Sequence, residues 1–562
     1  MPAGKQKEKN KKDKVKFKNK KTRSKPVTSA PRDDKSIPEN NFPVVGIGAS
    51  AGGLEAFEQF FSNMPADCGM AFVLVPHLAP SHKSFMPDLL KKYTKMQVYQ
   101  VEDGMKVKPN TIYIIPPNKD IVLKDRTLLL MEPFIAKGIR HPIDVFFRSL
   151  AEDQKEKAIC VILSGTGTEG TLGLQAVKAE VGFVIVQDPD TTTYDGMPRS
   201  AVATGMADLI LPPEKMPDDL LKYAQQSLKM DRIRYKAIPA IAPDYINKIF
   251  VLVRQYTGHD FSDYKQSTIN RRIEKRMFIQ DIEEIKEYVS FLQKNPEEVR
   301  ALFKEFLISV TKFFRDTEAF EALKKEIIPN MLAGKTTDQP VRVWVVGCST
   351  GEEAYSIAIL FKEYMDERIK NHNIQIFATD IDPDAIEKAR AGIFPESISV
   401  DVSPERLKRF FIKEKNMYKI KKEIREMIVF SLQNVIKDPP FSKLDLICCR
   451  NLLIYMNPKL QKKVLPVFQY ALTREGYLFL GNSETVGEFA DLFTPVDRQW
   501  KIYRRKEELG AFHRGFELAL PLLDLNLRNR NGTLSLRISI SELTARCRTS
   551  TLLSNPCCSR KC

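Results

Sequence analysis

The chain has 562 residues, 43% of them apolar and 28% charged, with a formal net charge of +16. That length is too great for one core and implies roughly three to four folding units. No apolar run reaches membrane-spanning length, and the N-terminus is charged where a secretory signal would need an apolar segment, so a soluble, cytoplasmic protein is expected. The nine cysteines form no paired framework and no CxxC metal motif, which fits a reducing compartment and implies no metal site.

The charge is unevenly spread, with a net +10 in residues 1–35 alone. Residues 1–41, rich in Lys, Asn and Ser with almost nothing apolar, read as a disordered basic tail. Such a tail is either drawn to an anionic surface or is merely solubilising; it marks no specific nucleic-acid partner.

From Phe42 to residue 225, short apolar runs alternate with helical patterns. The runs are Val44–Ile47, Ala71–Val75, Ile112–Ile115, Ile159–Leu163 and Phe183–Val186. This predicts a largely parallel α/β sheet, with a hairpin over Ile121–Met131 turning at Lys124–Arg126. The first strand runs into Gly48-Ala49-Ser50-Ala51-Gly52-Gly53, placing Ser50 on a sharp turn at a helix start, where backbone amides can hold an oxyanion. A serine nucleophile needs a base and a group that orients the base. Among six histidines, His77 at the end of the second strand is best placed, with His82 a loop alternative and His141 before a predicted helix. Glu169, in the glycine turn after Leu163, is the candidate orienting carboxylate. Read without more, a plain turn or N-cap serine is the better account of Ser50.

Four motifs in order, GIGASAGG, PHLAPSHKSF, ILSGTGTEGTLGL and QDPDTTTYDGMPRSAVATG, resemble the catalytic domain of the chemotaxis protein-glutamate methylesterases, the CheB family. The resemblance assigns a serine-hydrolase triad to Ser50, His77 and Glu169. It departs at Glu169, where the family usually has aspartate, and the extra methylene carries the carboxylate about 1.5 Å further along. Thr166 stands where methionine is common. No receiver domain precedes Phe42, so phosphorylation control through one is not expected.

Prolines between Pro212 and Pro243 mark a junction containing a helix over Pro217–Met230, with the linker at residues 226–240. Residues 241–310 read as a small helical domain, with a stripe of Ile246, Phe250, Val253 and Thr257 and a second helix over Thr268–Met277. The latter carries Arg271, Arg272, Lys275 and Arg276, either a solvated face or a docking surface for an acidic helix.

Residues 311–506 centre on VWVVGCSTGEEAYSIA at Val343–Ala358, which reads as buried strand, glycine turn and helix. Glu352 and Glu353 occupy the first helical turn, where a pyrophosphate would be repelled and a cation welcomed. Asp380, ending the next strand, is placed to accept hydrogen bonds from ribose hydroxyls, so S-adenosyl-L-methionine, a sulfonium, is the expected cofactor. Two acids that merely complement a helix dipole are the plainer alternative. A charged helix over Pro404–Phe411 and short strands at Tyr418–Ile420 and Ile428–Phe430 interrupt the domain, and the last strand is expected at Trp500–Tyr503.

The pieces VTKFFRD, VWVVGCSTGEEAYSIA, FATDIDPDAIEKARAGIF, SLQNV, LDLICCRNLLIYM and GYLFLGNSE resemble the chemotaxis receptor glutamate methyltransferases, the CheR family. The resemblance implies cofactor contacts at Thr311, Arg315, Glu353, Asp380, Asn434, Val435, Cys449 and Arg450, with Tyr455 at the reaction centre. Ser309 replaces a common asparagine and Asn482 a common histidine, and the insert between the strands resembles a small β subdomain used for receptor docking.

The expected fold is two doubly wound α/β domains, methylesterase-like then Rossmann-like, joined by a linker and a small helical domain. The expected function is writing and erasing glutamate methyl esters on methyl-accepting, receptor-like helical proteins. The alternative is a methyltransferase or docking scaffold whose esterase-like half is inactive. Residues 507–562 lose apolar periodicity and are expected to be disordered, as after a truncation or a changed reading frame.

Overall fold

The computed structural model describes residues 42–77, 85–133, 140–235, 243–307, 310–368 and 371–506. His82, Ser309, the basic tail and the C-terminal tail lie outside the described residues.

Seven strands form the first sheet. In spatial order they are Leu209–Leu211, Phe183–Gln187, Ala158–Ile162, Val44–Ala49, Ala71–Pro76, Thr111–Ile114 and Gln97–Gln100, and every neighbouring pair is parallel. The central strands are buried along their whole length, which explains their unbroken apolar runs. Helices Gly53–Ser62 and Met216–Tyr235 seal one face with Phe57, Phe60 and Leu220, while Pro142–Gln154 and Thr171–Ala179 seal the other with Phe146, Phe147 and Leu174. Strand order reverses between Val44–Ala49 and Ala158–Ile162, which opens a crevice at their carboxyl ends. The hairpin pairs Asp120–Lys124 with Thr127–Met131 across Asp125 and Arg126, both with positive φ as a two-residue turn requires.

The helix over Met216–Tyr235 extends into the stretch read as a linker, because nothing between Asp218 and Tyr235 is a glycine or proline. Four helices follow, Pro243–Thr257, Gln266–Ile279, Ile285–Lys294 and Pro296–Phe306, around Phe250, Phe261, Ile273 and Leu292.

A second seven-stranded sheet runs Ile428–Leu432, Ile374–Asp380, Val341–Val346, Leu444–Cys449, Leu472–Leu480, Ile502–Arg505, Phe493–Asp497. Its first five strands are parallel and the last two pair antiparallel. The order again reverses at the centre, between Val341–Val346 and Leu444–Cys449. Ile428–Leu432 therefore belongs to this sheet as an edge strand and not to the insert. Its in-out alternation, with Ile428 and Phe430 buried and Val429 between them exposed, is that of a half-buried edge. The insert proper is a three-stranded sheet of Ile393–Pro395, Met417–Ile420 and Phe411–Glu414. The final strand starts two residues later than expected, at Ile502.

Buried charges join the first α/β unit to the helical one. Asp208 accepts from Lys178 at 2.5 Å and Lys275 at 2.8 Å, and Glu305 pairs with Lys178 at 3.0 Å while its carbonyl accepts from Arg272. All five side chains are shielded from solvent, Asp208 to within 1%. Beside them Phe183 and Tyr223 stack at 3.9 Å with Phe278 edge-on. The basic helix is therefore neither a solvated face nor an open docking surface. Arg272 and Lys275 are buried, Arg271 pairs with Glu156 of the first unit, and Arg276 pairs with Glu298. Removing one partner of such a network strands a charge in the interior, so Asp208→Asn is expected to lower stability by about 3–5 kcal/mol in equilibrium denaturation.

Candidate active sites

Ser50 follows its strand directly and is fixed by its own amide, which donates to the Ser164 carbonyl at 2.8 Å. Gly52 adopts a left-handed φ of 74° and starts the Gly53–Ser62 helix, whose N-terminus faces the serine. An added Cβ at Gly165 would lie 2.2 Å from the Met197 sulfur and 2.9 Å from the Ser50 Cβ, so this approach needs glycine.

His77 directly follows the neighbouring strand, Ala71–Pro76. Its Nδ1 lies 3.2 Å from the Ser50 Oγ and its Nε2 contacts the Glu169 carboxylate. Proton acceptance from Ser50 thus requires the tautomer with hydrogen on Nε2, which Glu169 selects. Burial pulls the imidazole pKa down, but the hydrogen bond and charge of Glu169 outweigh it and the net shift is upward. Glu169, 4% exposed, is held through Oε1 by the Ile143 amide at 2.7 Å. That amide is in the first turn of the Pro142–Gln154 helix, so the longer carboxylate reaches a helix N-terminus. Asp144, on the same turn and fully buried, has its pKa pushed up to about 7 by burial and then by the charge of Glu169.

The second site is a cleft at the centre of the second sheet. Thr311, Arg315, Glu353, Asp380, Asn434, Val435, Arg450 and Tyr455 all line it. Cys449 does not: it is fully buried in the apolar layer behind its strand, on the opposite side of the pleat from Cys448 and Arg450. Glu352 also faces away, hydrogen-bonded to Thr350 at 2.7 Å, and burial pushes its pKa up to about 7. The acidic wall is therefore Glu353 and Asp380, not the adjacent pair. Asp380 accepts from the Ser349 amide at 2.8 Å and the Asp382 amide at 3.0 Å, and burial raises its pKa.

Arg450 is enclosed completely, lying over Phe320 and Phe479 with centroid distances of 5.1 and 4.7 Å. Its Nη2 donates to Asp316 at 2.6 Å and its Nη1 lies 3.5 Å from Glu353. Cys448 donates its thiol hydrogen to Glu353 at 2.9 Å, and burial first, then the nearby carboxylates, raise the thiol pKa values of Cys348, Cys448 and Cys449. Among the described residues around the cleft, the non-glycine residues Phe314, Asp316, Ser349 and Asn451 hold positive φ, a strain that concentrates at working sites.

Several participants lie outside the expected set. Tyr264, Phe306 and Leu307 of the helical unit line the cleft, and the Lys265 amide donates to the Tyr455 carbonyl at 2.9 Å. Glu484 accepts from the amides of Gly481, Asn451 and Ile454 and so shapes the loop that carries Arg450 and Tyr455. Glu484 carries a sequence signal, as the acid of the GNSE stretch; the Ile143 amide has no side-chain signature.

The cleft also fits a nucleoside bearing an amino acid. Among the described residues, Ser349 Oγ, Gln433 Oε1, Asn451 Oδ1 and Arg450 Nε are buried with no hydrogen-bond partner, and all four residues face the cavity. Hydroxyls, an amine and a carboxylate would supply the missing partners.

Residues 45–220 match the family model for CheB methylesterase, residues 244–307 that for the all-alpha domain of CheR methyltransferase, and residues 309–502 that for its SAM binding domain. A chemotaxis protein methyltransferase of Borreliella burgdorferi is 30% identical over 254 residues, which cover 44% of this chain and 89% of that protein. The chain belongs to the CheR methyltransferase family. A CheB methylesterase domain precedes the CheR domains in the same chain. An uncharacterized 104.1 kDa protein of Rhodobacter capsulatus is 37% identical over 439 residues, 75% of this chain and 46% of that protein. The chain thus spans about half the length of that relative. The crystal structure of the Thermotoga maritima CheB methylesterase catalytic domain is 32% identical, over 33% of this chain and 99% of that one, with a TM-score of 0.31.

Arg450→Lys keeps the charge of the CheR cleft but removes the planar fork and its Nε donor. S-adenosylhomocysteine is expected to bind about 10- to 100-fold more weakly by calorimetry, the equivalent of losing one or two hydrogen bonds to a charged group.

Proposed function

We propose that the chain both writes and erases methyl esters on glutamate side chains of chemoreceptor-like helical proteins. The CheR half would methylate a carboxylate with S-adenosyl-L-methionine, and the CheB half would hydrolyse the ester to glutamate and methanol. The observation that carries the bifunctional reading is the unbroken chain of contacts from Ser50 through His77 to Glu169. It disfavours a scaffold with a lapsed esterase half.

In the CheB half, Ser50 Oγ attacks the ester carbonyl while His77 Nδ1 takes its proton. The imidazolium returns that proton to the departing methoxide, and water then releases the acyl group from Ser50 by the same route. Glu169 stabilises the charge on His77 between these events. The N-terminus of the Gly53–Ser62 helix favours the oxyanion.

In the CheR half the donor, when bound, supplies an electrophilic methyl group. A substrate carboxylate, with a reference pKa of about 4.3, is already ionised at neutral pH and needs no base. The work of the protein is alignment. Arg450 and Arg315 orient carboxylates, Asp380 and Glu353 favour a cation and ribose hydroxyls, Thr311, Asn434 and Val435 complete the wall, and Tyr455 closes it. Cys449 is assigned a backbone role only. The cysteine usage supports a cytoplasmic setting, and the composition of residues 1–41 supports attraction to an anionic surface. Among the described residues no helix is long and apolar enough to cross a membrane.

Ser50→Ala should abolish methanol release from a methylated receptor fragment; equal release from variant and parent would reject the esterase assignment. Because the raised His77 pKa belongs to the free base, kcat/KM for hydrolysis should rise with pH through a limb above the ordinary histidine value of about 6.5. Glu169→Gln should move that limb downward and lower kcat by about 10²- to 10⁴-fold. Asp380→Ala should weaken S-adenosylhomocysteine binding, read by calorimetry, and unchanged affinity would remove Asp380 from the donor site.

A further inference from the structure

The carboxylate of the esterase triad depends on one helix, Pro142–Gln154, and that helix is seated on the methyltransferase half. Its N-cap residue is His141, 7% exposed, whose Nε2 lies 3.1 Å from the Oγ of Ser399. Ser399 belongs to the short 3-10 turn Glu396–Val400 that follows the first strand of the CheR insert. Further along the same helix, Arg148 forms a two-pronged ion pair with Asp401, at 2.7 and 2.8 Å, with side-chain exposures of 18% and 7%. Between these two anchors lies Ile143, whose amide holds Glu169.

We infer that Ser399 and Asp401, residues of the methyltransferase half, are positioning residues for the esterase triad. Neither touches the reacting groups. Ser399 sets the ring of His141 and so the start of the helix. Asp401 fixes the rotation of the helix through Arg148, a planar and buried pairing that tolerates little misalignment. Together they place the Ile143 amide, which places Glu169, which selects the His77 tautomer.

The glutamate makes this dependence sharper than an aspartate would. A side chain with one more rotatable bond is less fixed by its own backbone and relies more on what receives its oxygens. Its Oε1 is received by a helix N-terminus whose position is set from outside the domain. Burial holds the His141 pKa below its ordinary value, so this ring is neutral near pH 7 and acts here by hydrogen bonding. The groups facing it are Glu169, Glu396, His77 and Arg148.

This rests on the esterase reading above, so the parent must first show hydrolysis that Ser50→Ala abolishes. Absence of that hydrolysis overturns the esterase reading and this inference together. The test then uses the full chain with Ser399→Ala, Asp401→Asn and the double variant, and measures hydrolysis of a glutamyl methyl ester peptide across pH. Expected for the double variant is a kcat about tenfold lower with KM within twofold, and an acid limb shifted to lower pH as His77 loses the hold of Glu169. Affinity for S-adenosylhomocysteine should be unchanged, showing that the CheR half is folded. Ser399→Thr, which keeps the hydroxyl, should retain the parent limb. A contact that only cements the two halves would lower activity equally at every pH with the limb fixed, and that result overturns the inference. So does a kcat within twofold of the parent, or a threonine variant that behaves as alanine.

Discussion

Asp208 carries two ammonium groups in a place water does not reach. A lone carboxylate there would be costly to bury; with Lys178 and Lys275 on either side, and Glu305 between these cations and Arg272, every charge has a partner of opposite sign. The geometry requires both units to be present, since Lys178 and Asp208 come from the first sheet layer while Lys275, Arg272 and Glu305 come from the helical unit. Glu305 immediately precedes Phe306 and Leu307, which line the donor cleft. Lys178 lies on the last turn of the helix that begins just after Glu169. The junction is thus one residue from one site and one short helix from the other.

Both chemical centres follow from the same rule of sheet topology. A parallel sheet covered on both faces has backbone and side chains free only at the strand ends, and a crevice opens where successive crossovers diverge to opposite sides. Ser50 and Glu169 leave the two strands that flank that point in the first sheet, and Gly347–Gly351 and Arg450–Tyr455 leave the equivalent two in the second. The two reactions proposed for these centres would oppose each other chemically without competing for a group. One would begin from an anionic carboxylate and the other from a neutral ester carbonyl, and holding both centres on one chain would raise the local concentration of each near any target they share.

Much of this was legible in the residues themselves. Unbroken apolar runs such as Val44–Ile47 and Val343–Val346 read as buried parallel strands because nothing but a doubly covered sheet needs them. Ser50 and Asp380 were visible as polar residues at the ends of such runs. What escaped reading depends on contacts remote in sequence. The burial of Arg272 and Lys275 needs Asp208 and Glu305, which no periodicity connects to them, and a row of cations on a helix looks solvated until its partners are in place. Cys449 sits one residue from Arg450, but the pleat alternates, so neighbours in a motif point to opposite faces. Glu352 and Glu353 stand side by side in sequence as one acidic pair, although successive helical residues diverge by about 100° and only one faces the cleft.

The thiols around the methyltransferase cleft add a property of their own. Cys348, Cys448 and Cys449 are sealed in the apolar layers, with their ionisation suppressed by burial and by neighbouring carboxylates. In the closed fold they are inert to alkylating agents, which attack the thiolate. Each labelling event therefore requires the strand that bears Cys448 and Cys449, or the turn that bears Cys348, to open, so the speed of labelling becomes an internal clock for breathing of this half of the molecule.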